Sequence, residues 1–444
     1  MIATVQDFAD ALRARRISAS EMLEDCLGRI AADNDRLNAF ILVTADEARR
    51  EAAQADRELA AGRDRGRLHG VPYSVKDIFD VQGMPTSAAS RVRDGHRAAA
   101  DAPAVAAMRA AGAVLVGKAN LHEFAFGTTN EESAFGPARH PLDPSRSPGG
   151  SSGGSAVSVA AGMSLVTLGT DTGGSIRIPA AACGLVGLKP ELGELSTEGV
   201  VPLSRTLDHV GPLAPNVADA WCVYQALAGA AVDGALAAAP LAGARIAVPR
   251  RYFCELLDPE VAGRFEAALT ALTGAGAVVG DAEIPHASLI APIYLHLVFA
   301  EAAAYHAATL ETMPERYTPP VRLRLEAARY VMAEDYVRAL EGRALLAREV
   351  DRALDGVAAL ALPSLPIPAP PIGAAMVDVG SRREPVRNIM LRLTQLFNIT
   401  GHPAVSLPCG RTAAGLPVGL QLVGAHGQTR ELMQLALAVE ALLK

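Results

Sequence analysis

The sequence lacks most of what would mark a secreted, disordered or nucleic-acid-tracking chain. It has only five cysteines, Cys26, Cys183, Cys222, Cys254 and Cys409, an odd and scattered set with no CxxC pair and no histidine at zinc-ligand spacing. Free buried thiols in a reducing compartment fit that pattern better than a disulfide framework. No Lys/Arg block is long enough to follow a phosphate backbone, and 48 acidic residues against 41 basic ones give a net charge of −7. Direct binding to nucleic acid is therefore not expected. Glycine (40) and proline (29) are too few among 444 residues for a disordered or collagen-like chain but ample for tight turns.

Long hydrophobic runs are also missing. Residues 147–170 carry no charge, yet serine, glycine and threonine are spread through them, whereas a membrane span needs about 20 predominantly apolar residues. The first 30 residues alternate apolar and charged positions at helical spacing and show no basic segment followed by an apolar core, so a secretory leader is not expected. Together these absences predict a soluble cytoplasmic protein with no membrane and no nucleic-acid partner.

From Val5 to about Leu59 apolar residues recur at i, i+3 and i+4, which predicts a helical N-terminal layer. From His69 onward short β-branched runs (PYSVKDIF, AGAVLVGK, MSLVTLG) alternate with glycine turns and Ala-rich helical stretches. That alternation predicts an α/β sheet covered on both faces. GARIAVPR, a helix over about 259–273 and GAVVGDAEI read as strand, helix, strand; 287–355 reads as helical; 357–371 reads as an apolar strand breaking into LPIPAPP, expected to be an exposed loop. PAVSLPCG and GLPVGLQLVG suggest a hairpin, followed by a helix over 429–443.

The densest chemistry lies in PGGSSGGSAVSVAAG (148–162) and SLVTLGTDTGGSIRIPAAACG (164–184), two Gly/Ser clusters bracketing a helix and a strand. Such glycine density suits backbone amides that must approach a ligand. Gly149, Ser151 and Gly153 match G-x-S-x-G, but no strand precedes the serine as a nucleophile elbow requires. Gly112–Lys118 matches part of a phosphate loop, but Ala119 replaces the magnesium-binding Ser/Thr and AVLV between them reads as a buried strand. Asp208 and His209 are adjacent, so on an extended chain they point to opposite faces and read as structural. No histidine pair has HExxH spacing, so no metal is assigned. Lys76, in the apolar segment GVPYSVKDIFD, remains as a base: burial would lower its pKa toward neutrality. Pairing with Asp77, or reaching to the surface, is the alternative for that lysine.

Taken together, Lys76, GGSSGGS and GTDTGGSIRIPAAACGLVGLKP resemble the amidase signature family. The spacings 151 − 76 = 75 and 175 − 151 = 24 match the family's arrangement, and the likeness extends through NLHEFAFGTTNEESAFGPARHP, LSRTLDHVGPLA and NITGHPAVSLPCG, weakest over 230–390. The resemblance implies an α/β fold with a single large mixed β-sheet core and helices on both faces. It also implies one amidase domain over 1–444. In it, 1–65 form the helical layer and 66–230 carry the catalytic residues; 231–390 form a more variable substrate side, and 391–444 complete the core.

The same resemblance implies a Ser-cisSer-Lys triad: Ser175 as nucleophile, Ser151 on a cis peptide as relay, and Lys76 as base. Gly150, lacking a Cβ, eases the crowding before Ser151. Backbone amides of Thr172, Gly173, Gly174 and Ser175 are expected to hold the oxyanion. Asp171 and Arg177 are expected to pair and brace that turn, and Ser152 and Ser155 to stabilise the glycine loop and cap its helix. No cofactor is implied.

Ala125, Phe126, Gly127 and Thr128, the segment 290–340 and the loop 370–395 are expected to line a mostly apolar pocket, with Tyr317 and Met390 available. The expected substrate is a small hydrophobic or aryl amide, a carbamate or an ester, hydrolysed by a monomer or homodimer. The alternative within the family is the A subunit of a glutamyl-tRNA amidotransferase. Ile178, where that protein usually has glutamine, and Glu191-Leu192-Gly193-Glu194, where it has Thr-Tyr-Gly-Arg, depart from it.

Overall fold

The computed structural model describes residues 2–234 and 236–444. Eleven strands form one mixed sheet with helices around it. In chain order its strands are β1 (Phe40–Val43), β2 (Pro72–Lys76), β3 (Val114–Ala119), β4 (Val166–Asp171), β5 (Val186–Lys189), β6 (His209–Ala214), β7 (Arg245–Val248), β8 (Val278–Asp281) and β9 (Ala359–Pro363). After a separate hairpin of β10 (Met376–Val379) and β11 (Arg382–Pro385) come β12 (Ala404–Arg411) and β13 (Pro417–Val423). The spatial order is β1-β3-β2-β4-β6-β5-β12-β13-β9-β7-β8.

Every residue of β2, β3 and β4 is buried, as expected where both faces of a sheet are covered and the strands need no polar side. Those three run parallel, as do β9, β7 and β8, and the antiparallel strands β6, β5, β12 and β13 join the two groups. β7, β8 and β9, from the 231–390 region, thus extend the same sheet, and β10 and β11 from that region do not.

Two expectations fail. The N-terminal layer is not wholly helical: β1 lies between the helices Ala19–Leu37 and Ala45–Ala60 and pairs antiparallel with β3. Its four residues, FILV, are too few to break a helical periodicity read over a longer window. LPIPAPP is not exposed either, because Leu365, Ile367 and Ala369 are buried and the carbonyls of Pro366, Ala369 and Pro370 accept from Asp258, Arg146 and Ser147. Proline has no N–H to leave unsatisfied, so such a segment can be buried once its carbonyls are paired.

Among the described residues one helix, Ala287–Thr312, is long and apolar enough to cross a membrane by length and composition. Its Ile290, Ile293, Leu297 and Val298 are buried, and it packs on the helices Pro319–Ala328, Ala333–Leu354 and Gln395–Ile399.

The helix Gly153–Ala160 follows the first serine cluster and is seated by its glycines. A Cβ on Gly154 would lie 2.5 Å from the carbonyl oxygens of both Ala39 and Asn120, which are backbone atoms that cannot rotate away. Gly154→Ala should therefore destabilise the protein by about 1–3 kcal/mol, as overpacking does in cores, read as a lower urea midpoint at unchanged slope.

Candidate active site

Lys76 ends β2, and β4 runs parallel beside it toward Thr170. The lysine is fully buried, with Nζ donating to Ser151 Oγ at 2.8 Å and to Thr170 Oγ1 at 2.7 Å. It does not pair with Asp77. That carboxylate is 2.7 Å from Nζ of Lys118, which settles the role of the lysine in the partial phosphate-loop match as a buried strut. Desolvation lowers the Lys76 pKa to about 7; Asp208 and Asp171, acting at longer range, pull it back only in part.

Ser151 follows a cis peptide from Gly150. A Cβ on Gly150 would lie within 3.0 Å of the Thr128–Asn130 backbone, so that segment packs directly on the cis bond. The Ser151 carbonyl accepts a hydrogen bond from the His122 amide, and the next amide, of Ser152, donates to the Ser175 carbonyl at 3.3 Å. The two serine-bearing segments are therefore in contact. Ser152 does not cap its helix through its side chain; its hydroxyl donates to Thr170 O on β4 at 3.2 Å, and Ser155 donates to Leu168 O.

Thr172, Gly173, Gly174 and Ser175 form the turn between β4 and the helix Arg177–Cys183. Gly174 has φ +139°, a conformation that favours glycine. A Cβ on Gly173 would meet the Tyr294 hydroxyl at 2.3 Å, and one on Gly174 would meet Thr394 Oγ1 at 2.2 Å. Ser175 is 5% exposed, so the turn is nearly closed to solvent.

Beneath the turn Asp171 and Arg177 form a bidentate ion pair, 2.9 and 3.0 Å, with neither residue exposed. Arg177 also donates to Thr394 O, Gln421 Oε1 and Asn398 Oδ1, while Asn398 donates back to Asp171. Burial opposes the Asp171 carboxylate, but Arg177 and Asn398 outweigh it and hold its pKa well below the usual range. Asp208 accepts from Thr172 and from the amides of Leu203 and Ser204, and burial raises its pKa to about 6 against those bonds. His209 Nδ1 faces the carbonyls of Leu207 and Asp171. Both members of that adjacent pair brace the turn from outside.

Of the residues expected to line a pocket, Thr128 and parts of the segments 290–340 and 370–395 border cavities. Phe126 is buried between Phe299, Arg324 and Arg387, and Thr128 Oγ1 is buried without a partner. Ala125 is buried at φ +58°, and a Cβ on Gly127 would meet the His122 ring. Tyr317 is buried against His306 and Phe124, and Met390 lies in the core. A cavity of about 250 Å³ opens beside Tyr294, with Arg387, Arg392, Glu384 and Gln395 in its wall. Arg387 also lines a second cavity of about 410 Å³ with His122, Thr128, Glu132 and Arg324. The wall of the first cavity is mostly apolar, with Leu256, Leu295, Val298, Phe299 and Leu391 in it, and the charged groups are set into that lining.

A family model described as Amidase matches residues 21–433. The chain belongs to the amidase signature family. It is a hydrolase of carbon–nitrogen bonds. The A subunit of a glutamyl-tRNA(Gln) amidotransferase from Anaeromyxobacter sp. (strain K) is 40% identical over 96% of this chain and 93% of that protein. Among solved structures, a crystal structure of an amidase superimposes with TM-score 0.94 at 40% identity, over 99% of this chain and 100% of the other. The corresponding amidotransferase A subunit from Thermotoga maritima gives 0.79 at 30%, over 98% and 94%.

These relatives correct the expectation of a partner-free protein without nucleic acid: the similar proteins include subunits of an enzyme named for its tRNA. Net charge bears only on whether this chain grips phosphates itself and is silent on membership of an assembly that handles RNA. The sequence does not single out Thr170, which stands within the second Gly/Ser stretch, or Tyr294, Thr394 and Arg387, which lie in ordinary polar or apolar segments, because each reaches the site only through tertiary packing.

Arg177→Leu leaves the Asp171 carboxylate buried without its cation, so a loss of about 3–5 kcal/mol in unfolding free energy is expected. A change below about 1 kcal/mol by denaturant titration would contradict the brace.

Proposed function

We propose that the chain is a serine amidohydrolase with Ser175 as nucleophile, Ser151 as relay and Lys76 as base. The observation that carries this is the buried Lys76 amine 2.8 Å from the Ser151 hydroxyl, with a pKa of about 7. At neutral pH a large fraction of that amine is uncharged. Lys76 takes the Ser151 proton as Ser151 takes that of Ser175, whose oxygen adds to the amide carbonyl. The turn at Thr172–Ser175 receives the oxyanion, an interaction of which each donor contributes about 2.7–4 kcal/mol. The relay returns the proton to the departing amine, and water then cleaves the acyl ester on Ser175. In this reading residues 1–444 act as one amidase unit, in the cytoplasm.

For the substrate, the curated relatives support glutamine, hydrolysed in the role of a glutamyl-tRNA(Gln) amidotransferase A subunit, with partner proteins and tRNA completing the reaction. Arg387 adds support: it lines the cavity beside Tyr294, its Nε has no hydrogen-bond partner among the described residues, and its guanidinium could receive a substrate carboxylate. One observation favours a free-standing amidase or carbamate hydrolase instead, namely the superposition of 0.94 on an amidase against 0.79 on the amidotransferase component.

The isolated chain should be assayed with glutamine, p-nitroacetanilide and a small aryl carbamate, then again with amidotransferase partner proteins. Glutamine hydrolysis that rises with partners supports the first reading, and aniline release by the chain alone supports the second. Ser175→Ala and Lys76→Ala should abolish turnover of whichever substrate is used.

The pH dependence has a definite sign. The base works when unprotonated, so kcat/KM should rise with pH through about 7. Ionised Asp208 raises the Lys76 pKa, so Asp208→Asn should move that rise to lower pH. A shift to higher pH would count against Lys76 as the titrating group.

A further inference from the structure

A second group of nitrogen and oxygen donors lies apart from the serines. Asp351 is on the helix Ala333–Leu354, His402 in the loop before β12, and His426 in the loop after β13; one ligand atom from each lies within 4.8 Å of the others. The three are 51 and 24 residues apart in sequence (402 − 351 and 426 − 402), so no local spacing reveals them.

The donors are oriented from behind. His402 Nδ1 is 2.9 Å from Thr400 Oγ1, and His426 Nδ1 is 2.9 Å from Glu191 Oε1. That leaves Nε2 of each ring as the remaining donor, and His402 Nε2 is 3.0 Å from Asp351 Oδ1. A carboxylate or hydroxyl holding the far nitrogen of an imidazole is the usual outer shell of a metal-bound histidine, fixing tautomer and ring angle.

Two carboxylates face the rings, Asp351 toward His402 and Glu191 toward His426. The ring centroids are 3.9 Å apart, so the two imidazoles and Asp351 are already gathered at one point. A divalent ion there would set its positive charge against both carboxylates. Two imidazoles and one carboxylate suit zinc, nickel or copper better than the all-oxygen shells of calcium or magnesium.

We propose that Asp351, His402 and His426 form a divalent transition-metal site, with Glu191 as its outer-shell carboxylate, that clips the helix Ala333–Leu354 to the loops flanking β12 and β13.

The test uses full-length, untagged protein stripped with chelator and titrated with zinc chloride by calorimetry. One equivalent should bind, and zinc should raise the thermal midpoint. His426→Gln and Asp351→Asn, both at exposed positions, should abolish the binding and the thermal shift, and Glu191→Gln should weaken affinity by about 10–100-fold. Cobalt should give visible d–d absorption in the parent and none in His426→Gln. His402 is fully buried, so its replacement is avoided as a source of unfolding. Absence of saturable binding in the parent, or an equivalent retained at unchanged affinity in both His426→Gln and Asp351→Asn, overturns the proposal.

Discussion

The site depends on a lysine amine buried without a carboxylate in contact. Three buried lysines end up in this sheet, and their partners separate their roles. Lys118 on β3 meets Asp77 at 2.7 Å, and Lys189 on β5 donates to the Pro190 carbonyl. Among the described residues Lys76 on β2 donates only to the hydroxyls of Ser151 and Thr170. An adjoining carboxylate favours the ammonium form, whereas hydroxyls leave desolvation to dominate. The nearest relevant acids, Asp208 and Asp171, are engaged elsewhere, one by Thr172 and the other by Arg177. Desolvation is what brings the amine near neutrality, and these two acids offset it only in part.

That separation relies on distant parts of the chain. Arg177 draws on Thr394, Asn398 and Gln421, while the Thr394 hydroxyl reaches the Gly173 carbonyl. The C-terminal part of the chain thus holds the serine turn in place as well as completing the sheet. A buried ion pair gains little on balance unless its remaining donors and acceptors are satisfied, and here the side chains around it satisfy them. The turn is anchored through those contacts.

Much of this was legible in the sequence because chemistry and backbone geometry coincide there. The Gly/Ser clusters, Lys76 and the Asp171–Arg177 pair lie within short stretches, and β2, β3 and β4 announce themselves as apolar runs bounded by glycine. What could not be read depends on contacts across the chain. Thr170 reaches Lys76 only because β2 and β4 are neighbours. Tyr294 lies in a helix whose composition reads simply as apolar, and the LPIPAPP segment is buried because its carbonyls find donors on remote segments, at Asp258, Arg146 and Ser147.

The same distinction explains why the bond cleaved is clearer than the molecule that carries it. Lys76 ends β2, Thr170 lies on β4 and Ser175 in the turn after it, while Ser151 stands in the loop before the helix Gly153–Ala160, so strand direction and short glycine loops place these groups. The walls around them come from the helices at 290–299 and 386–395, and their apolar sequence conceals the few charges that turn inward. Burial, with Arg387 adding to it, presses the Arg324 pKa down to about 10, and burial lowers that of Arg387 as well. Burial also opposes the Glu132 carboxylate, but His122 and Arg324 outweigh it and hold the pKa at about 2, so that charge is already shared. Glu131 lines the same cavity, so Arg324 and Arg387 face two carboxylates there, and what the wall offers a substrate is a set of fixed charges of both signs that orient a polar group instead of a surplus of one sign.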